Sequence, residues 1–149
     1  MNDREFTLVR VFDAPRDRVF RAWLEPDQLA EWAGPQGFTT RPGSIVAEPV
    51  VGGRYESVMV SDADGAEYRS AGVFREISAP ERLVFTWGDP TGDAGAERYS
   101  IITVTFADTG DGKTTMTFHL LAPGPLSPED GAAAGWGQSL DRLAAVLRL

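Results

Sequence analysis

The stretch Gly135–Leu147, GWGQSLDRLAAVL, decides how this chain folds. Its start imitates the dinucleotide turn GxGxxG, but that turn needs a third glycine where Leu140 stands and a strand immediately before it. Periodicity reads helix instead. Counting from Trp136, the apolar positions are Leu140, Leu143, Ala144 and Leu147, while Gln138, Asp141, Arg142 and Arg148 take the other face. Upstream, Ser127 can cap, Pro128 suits a first helical position, and Glu129 and Asp130 set carboxylates in the positive first turn. The spacing predicts a helix of roughly 20 residues, about 30 Å long, enough to cross a sheet.

The sheet is legible before it. From Ile45 to Leu121 the apolar period is two, and turn residues punctuate it. Strands are predicted near Ser44–Val50, Arg54–Ser61, Glu67–Ile77, Arg82–Trp87, Tyr99–Phe106 and Thr114–Leu121, with turns at Gly52-Gly53, Asp62–Gly65, Ala79-Pro80, Asp89–Gly95 and Asp108–Gly112. A further β-rich segment runs from Glu5 to Asp13. Between them, PRDRVFRAWL reads as an amphipathic helix begun by Pro15, with Asp13 or Ala14 as its cap. Pro26 interrupts it, and DQLAEWAG restarts a short helix that ends at Gly34-Pro35. The order is strand, two helices, six strands and a long helix. It predicts an α+β fold in which a curved seven-stranded antiparallel sheet buries its concave face under the terminal helix.

Bulk properties narrow the partners. A chain of 149 residues fits one domain, 1–149, and 42% hydrophobic with 24% charged residues is ordinary for a globular protein. The net charge of −8 repels polyphosphate, and the basic residues, all arginine except Lys113, form no run. Neither nucleic acid nor a membrane is an expected partner. There is no cysteine, and neither a leader pattern nor an apolar run of about 18 residues appears, so a cytoplasmic location is the expectation.

Catalytic signatures are sparse. DGKTT, Asp111–Thr115, resembles the end of a P-loop, but the required first glycine is Ala107 and a β-rich segment follows. DADG, Asp62–Gly65, lacks the spacing of a calcium loop and reads as a β-turn. With one histidine and no cysteine, a zinc site has too few ligands, and no metal or cofactor is expected. His119, the only imidazole, alternates with Met116, Phe118 and Leu120 and therefore points to the outer face. No GxSxG elbow occurs. No catalytic residue is assigned.

An excess of aromatics remains where the strands face inward. Trp32, Phe38, Tyr55, Tyr68, Phe85, Trp87, Phe118 and Trp136 project there if the apolar set of each strand faces the core. Each helix glycine costs roughly 0.5–1 kcal/mol relative to alanine, yet Gly131, Gly135 and Gly137 stand in the first half of the last helix beside Ala132, Ala133 and Ala134. A thin half-helix over a concave sheet leaves space, and concave apolar space with a few polar groups is what small-molecule sites look like. The residues expected to line it are those eight together with Met59 and Leu140.

Four segments carry a resemblance: AEWAGPQGF (Ala30–Phe38), PVVGGRY (Pro49–Tyr55), VFREISAPERLVFTW (Val73–Trp87) and GWGQSLDRLAAVL. In these the chain resembles the AHSA1-like branch of the START/Bet v 1-like (SRPBCC) superfamily, over nearly its whole length. The resemblance implies a helix-grip fold with an internal cavity for hydrophobic ligands. Superfamily relatives bind lipids, sterols, hormones or polyketides, and some are cyclases or aromatases, but no cyclase motif maps onto this chain. The chaperone-engaging N-terminal domain of the eukaryotic activator is not expected within these 149 residues, so regulation of Hsp90 is not carried over as an expectation.

Three functions follow as expectations. The first is a binding protein for a small hydrophobic or amphipathic ligand. The second is a cyclase- or aromatase-like enzyme using Tyr55, Tyr68 or Glu56, with His119 only if it faces inward. The third is a chaperone-associated protein-interaction module, for which a protein partner or an oligomer is expected and an exposed apolar patch is the mark.

Overall fold

The structure is a computed structural model and describes residues 5–34, 37–88, 100–122 and 132–147. Strand β1 (Glu5–Phe12) leads into helices α1 (Arg16–Ala22) and α2 (Pro26–Trp32). Then come β2 (Phe38–Thr40), a 3₁₀ turn (Pro42–Ser44), β3 (Val46–Ala47), β4 (Arg54–Ser61), β5 (Glu67–Ser78), β6 (Arg82–Trp87), β7 (Ser100–Asp108), β8 (Thr114–Leu121) and helix α3 (Ala132–Leu147).

The strands form one antiparallel sheet in the order β1-β8-β7-β6-β5-β4-β2, with β3 also on β4. Strand β4 gives one edge to β5 and the other to both β2 and β3. The expected Ser44–Val50 strand is therefore reduced to Val46–Ala47, and Phe38–Thr40 supplies the rest of that rib. The cause lies in Arg41–Ser44: the Ser44 amide turns back onto the Arg41 carbonyl, and the Ser44 hydroxyl accepts the Val58 amide in place of a backbone partner. Counting that interrupted rib once leaves seven, as the sequence predicts.

The sheet curls into a half-barrel. At Gly72 in β5 the backbones approach so closely that an added Cβ would lie 1.6 Å from the Thr86 carbonyl oxygen. Only glycine permits that approach. The neighbouring register shifts between Phe74 and Glu76, the mark of a β-bulge, which increases local twist.

Helix α1 begins after Pro15, which is itself the N-cap, and no side chain caps it. The expected caps, Asp13 or Ala14, are thus corrected by a residue: proline's fixed φ already fits the helix entry and has no N–H to satisfy. The terminal helix is 16 residues long over its described part, about 24 Å. The predicted Ser127-Pro128 start lies outside the described residues, as do the Asp89–Gly95 turn and Gly131.

Alternation along the strands makes the core. Leu83 and Phe85 of β6, Ile102, Val104 and Phe106 of β7, and Met116, Phe118 and Leu120 of β8 all turn inward and are buried. Leu140, Leu143 and Leu147 of α3 are at most 2% exposed, each burial worth about 1.5–3 kcal/mol. Arg18 of α1 reaches the far end of this helix, donating to the Leu147 carbonyl and, at 3.4 Å, to that of Val146. A cation there satisfies carbonyls that have no intrahelical partner and meets the negative end of the helix dipole.

Candidate functional site

A cavity of about 210 Å³ lies between the first half of α3, the α1–α2 elbow and strands β4 to β6. All four tryptophans of the chain line it: Trp23, Trp32, Trp87 and Trp136. They are held in a ring network. Trp23 stands edge-on to Trp32 at 4.7 Å and nearly parallel to Trp136 at 6.3 Å, and Trp136 meets Trp87 edge-on at 6.4 Å. Offset and edge-to-face contacts of this kind suit the ring quadrupole and fix each ring.

Local structure explains how the rings converge. Trp23 ends the apolar face of α1 and Trp32 that of α2, so the elbow brings both to one side. Trp32 is pinned by its indole N–H to the Ala22 carbonyl at 3.0 Å. Tyr55 donates its hydroxyl to the Trp23 carbonyl and is ringed by Phe74, Phe85 and Trp87. Gly34 sits at the mouth with φ +98°, where a Cβ would press on Met59 Sδ at 3.1 Å. Arg142 of α3 ties this corner down, donating to the carbonyls of Gly34 at 2.8 Å and Phe38 at 3.2 Å. Sequence periodicity placed Arg142 on the polar face and missed that role, because its acceptors lie more than a hundred residues away.

Of the residues expected at the cavity, the structure places Trp32, Tyr55, Met59, Phe85, Trp87 and Trp136 in its wall. Phe38, Tyr68, Phe118 and Leu140 are corrections. Phe118 and Leu140 are fully buried but are not among the lining residues, and Phe118 packs against Trp136 at 4.7 Å. Phe38 and Tyr68 share the concave face with Met59 by register. They pair edge-on at 5.7 Å beyond the lining residues, and Tyr68 is 48% exposed. The lining also contains Trp23, Leu29, Thr40 and Ile45, along with Ser57, Ser70 and Ser139, which the sequence does not single out.

The glycines divide. Gly135 lines the cavity. Gly137 does not; it is buried against Arg10, whose Nη2 would stand 3.4 Å from an added Cβ. Gly137 is therefore space for a guanidinium on β1, which is also ion-paired to Asp141 at 3.7 Å.

The site holds little that titrates. Burial pushes the Tyr55 phenol well above the usual tyrosine value, and its proton is committed to Trp23; it is no general base. His119 points outward to Glu5 at 3.0 Å, as its alternation predicts. Glu56 borders the cavity and pairs with Arg54 at 3.8 Å. Among the described residues no cluster of three His, Cys, Asp or Glu is placed to hold a metal ion.

A family model described as Activator of Hsp90 ATPase homolog 1-like protein matches residues 13–148. Among solved structures, a protein of Chromobacterium violaceum is 32% identical, with 98% of each chain covered and a TM-score of 0.84. An AHSA1 protein of Silicibacter pomeroyi is 23% identical over 97% of each chain, with a TM-score of 0.79. An AHSA1-like protein of Aeromonas hydrophila is also 23% identical, over 95% of this chain and 90% of its own, with a TM-score of 0.74. No curated protein matches.

Proposed function

This chain belongs to the activator of Hsp90 ATPase homolog 1-like family, and from that premise we propose that it binds a small hydrophobic or amphipathic molecule between α3 and the sheet. One observation carries the reading: all four tryptophans converge on the same 210 Å³ of space. Protein interiors are packed to crystal-like density with few voids larger than a water molecule. Space of this size, walled by rings that gain most from an aromatic or aliphatic occupant, favours a binding site over a packing fault.

A cyclase-like role draws less support. Of its candidate groups, Tyr68 and His119 stand away from the cavity, Tyr55 is held neutral, and Glu56 alone borders the space. For a protein partner or self-association the described residues offer a few exposed apolar side chains, chiefly Val9 and Val11 on β1, Val50 and Val51 near β4, and Tyr68 and Val73 on β5. No helix among the described residues is long and apolar enough to cross a membrane, and a cytoplasmic setting is part of the proposal.

Native mass spectrometry of the purified protein, followed by solvent extraction, tests it. The expected result is a bound small molecule, or displacement-sensitive quenching of tryptophan fluorescence by members of a hydrophobic panel. A protein that carries nothing and whose fluorescence no panel member changes would overturn the reading.

A further inference from the structure

Resting on that reading, we infer that the occupant is a compact, uncharged, planar aromatic molecule that carries a hydroxyl or carbonyl group. Three features of the cavity select it.

Size is the first. At about 210 Å³ the space lies between a cavity of about 150 Å³ that takes benzene and the ~300 Å³ at which drug-sized pockets begin. One or two fused rings fit. A long acyl chain or a sterol exceeds it.

Charge is the second. Among the described residues, no arginine, lysine or histidine lines the cavity, and the one carboxylate that does is Glu56. A carboxylate or phosphate entering this space would lose its hydration, find no cation among the described lining residues, and meet a like charge. The net charge of −8 adds a repulsive field outside. The site therefore discriminates against anions.

Polarity is the third. Ser57 and Ser70 are direct cross-strand partners on the concave faces of β4 and β5, and both line the cavity. Ser139 of α3 lines it from the helix side and is 3% exposed. None of the three side chains has a hydrogen-bond partner among the described residues. Nearby, Trp23 keeps a buried Nε1–H without an acceptor. A hydroxyl both donates and accepts, so these serines match a neutral oxygen on the ligand. Leaving them unpaired against a pure hydrocarbon forfeits that match.

The experiment is isothermal titration calorimetry of the full chain with naphthalene, 2-naphthol, 2-naphthoate and palmitate. The expected order is 2-naphthol tightest, by about tenfold or more over naphthalene and over 2-naphthoate, with palmitate not saturating. In Ser139→Ala and in the double variant Ser57→Ala/Ser70→Ala, the preference of 2-naphthol over naphthalene shrinks toward unity while naphthalene binding persists. Circular dichroism melts confirm that each variant is folded, and either variant alone suffices for the comparison. Equal binding of naphthalene and 2-naphthol, or tighter binding of either anion, overturns this inference and leaves the cavity reading standing. Failure of all four to bind removes the cavity reading itself.

Discussion

At the residue scale, two buried tryptophans differ by one hydrogen bond. Trp23 and Trp32 are each 1% exposed, but Trp32 donates to the Ala22 carbonyl while the Trp23 N–H has no acceptor. Replacing either by phenylalanine removes similar volume, so the cavity terms nearly cancel in the comparison. Trp32→Phe is expected to cost about 1–2 kcal/mol more than Trp23→Phe, measured by urea denaturation. Equal losses would remove the argument. Tyr55 makes a second test. Its proton is held more tightly in the folded chain than in the unfolded one, where a phenol titrates near about 10. The stability this supplies is complete below that pH and falls as pH rises above it, by up to about 1.4 kcal/mol per unit. The difference between wild type and Tyr55→Phe should therefore narrow above pH ~10, vanish within about one unit and then reverse, while near neutral pH the variant loses about 1 kcal/mol for the orphaned Trp23 carbonyl.

At the element scale, α3 serves two neighbours through two glycines. Gly137→Ala meets only the tip of Arg10, a flexible group, and gains helix propensity. It is expected to stabilise by roughly 0.5–1 kcal/mol and to leave ligand affinity unchanged. Gly135→Leu sends a side chain into the cavity wall. It should keep the fold, as judged by circular dichroism, and abolish binding of the compact aromatics. If Gly137→Ala also abolished binding, the division of roles along this helix would be wrong. The strands were legible because alternation is local: Arg54–Ser61, Arg82–Trp87 and Thr114–Leu121 appear with the expected bounds. The rib before β4 was not. Its break depends on the Ser44 hydroxyl bonding Val58 across the sheet, and no windowed pattern contains that contact.

At the scale of the whole molecule, a curled sheet and one long helix enclose a core at one end and a cavity at the other. The leucine half of α3 closes the first, and the half containing Gly135 and Trp136 roofs the second. Binding only to the folded state then raises the melting temperature by mass action. At a ligand concentration of about 100 times Kd the gain is ~2.7 kcal/mol, which for a chain of this size is about 5–10 °C. Thermal melts with 2-naphthol should show that rise and should lose it in Gly135→Leu. A rise that survives in Gly135→Leu would place the ligand elsewhere.

The sequence alone determined the order of elements, the face each strand turns inward, the outward turn of His119 and the abundance of aromatics on the concave side. Those follow from periods of two and 3.6, which need only near neighbours. Tertiary structure decided which inward aromatics border space and which are packed behind others. Periodicity names a face but not what stands over it, so Phe118 on its strand and Trp136 on its helix both read as inward while only Trp136 lines the cavity. It also separated Gly135 from Gly137. Positions two apart on a helix point about 200° apart, and only the placement of β1 and its Arg10 shows which of the two faces the cavity.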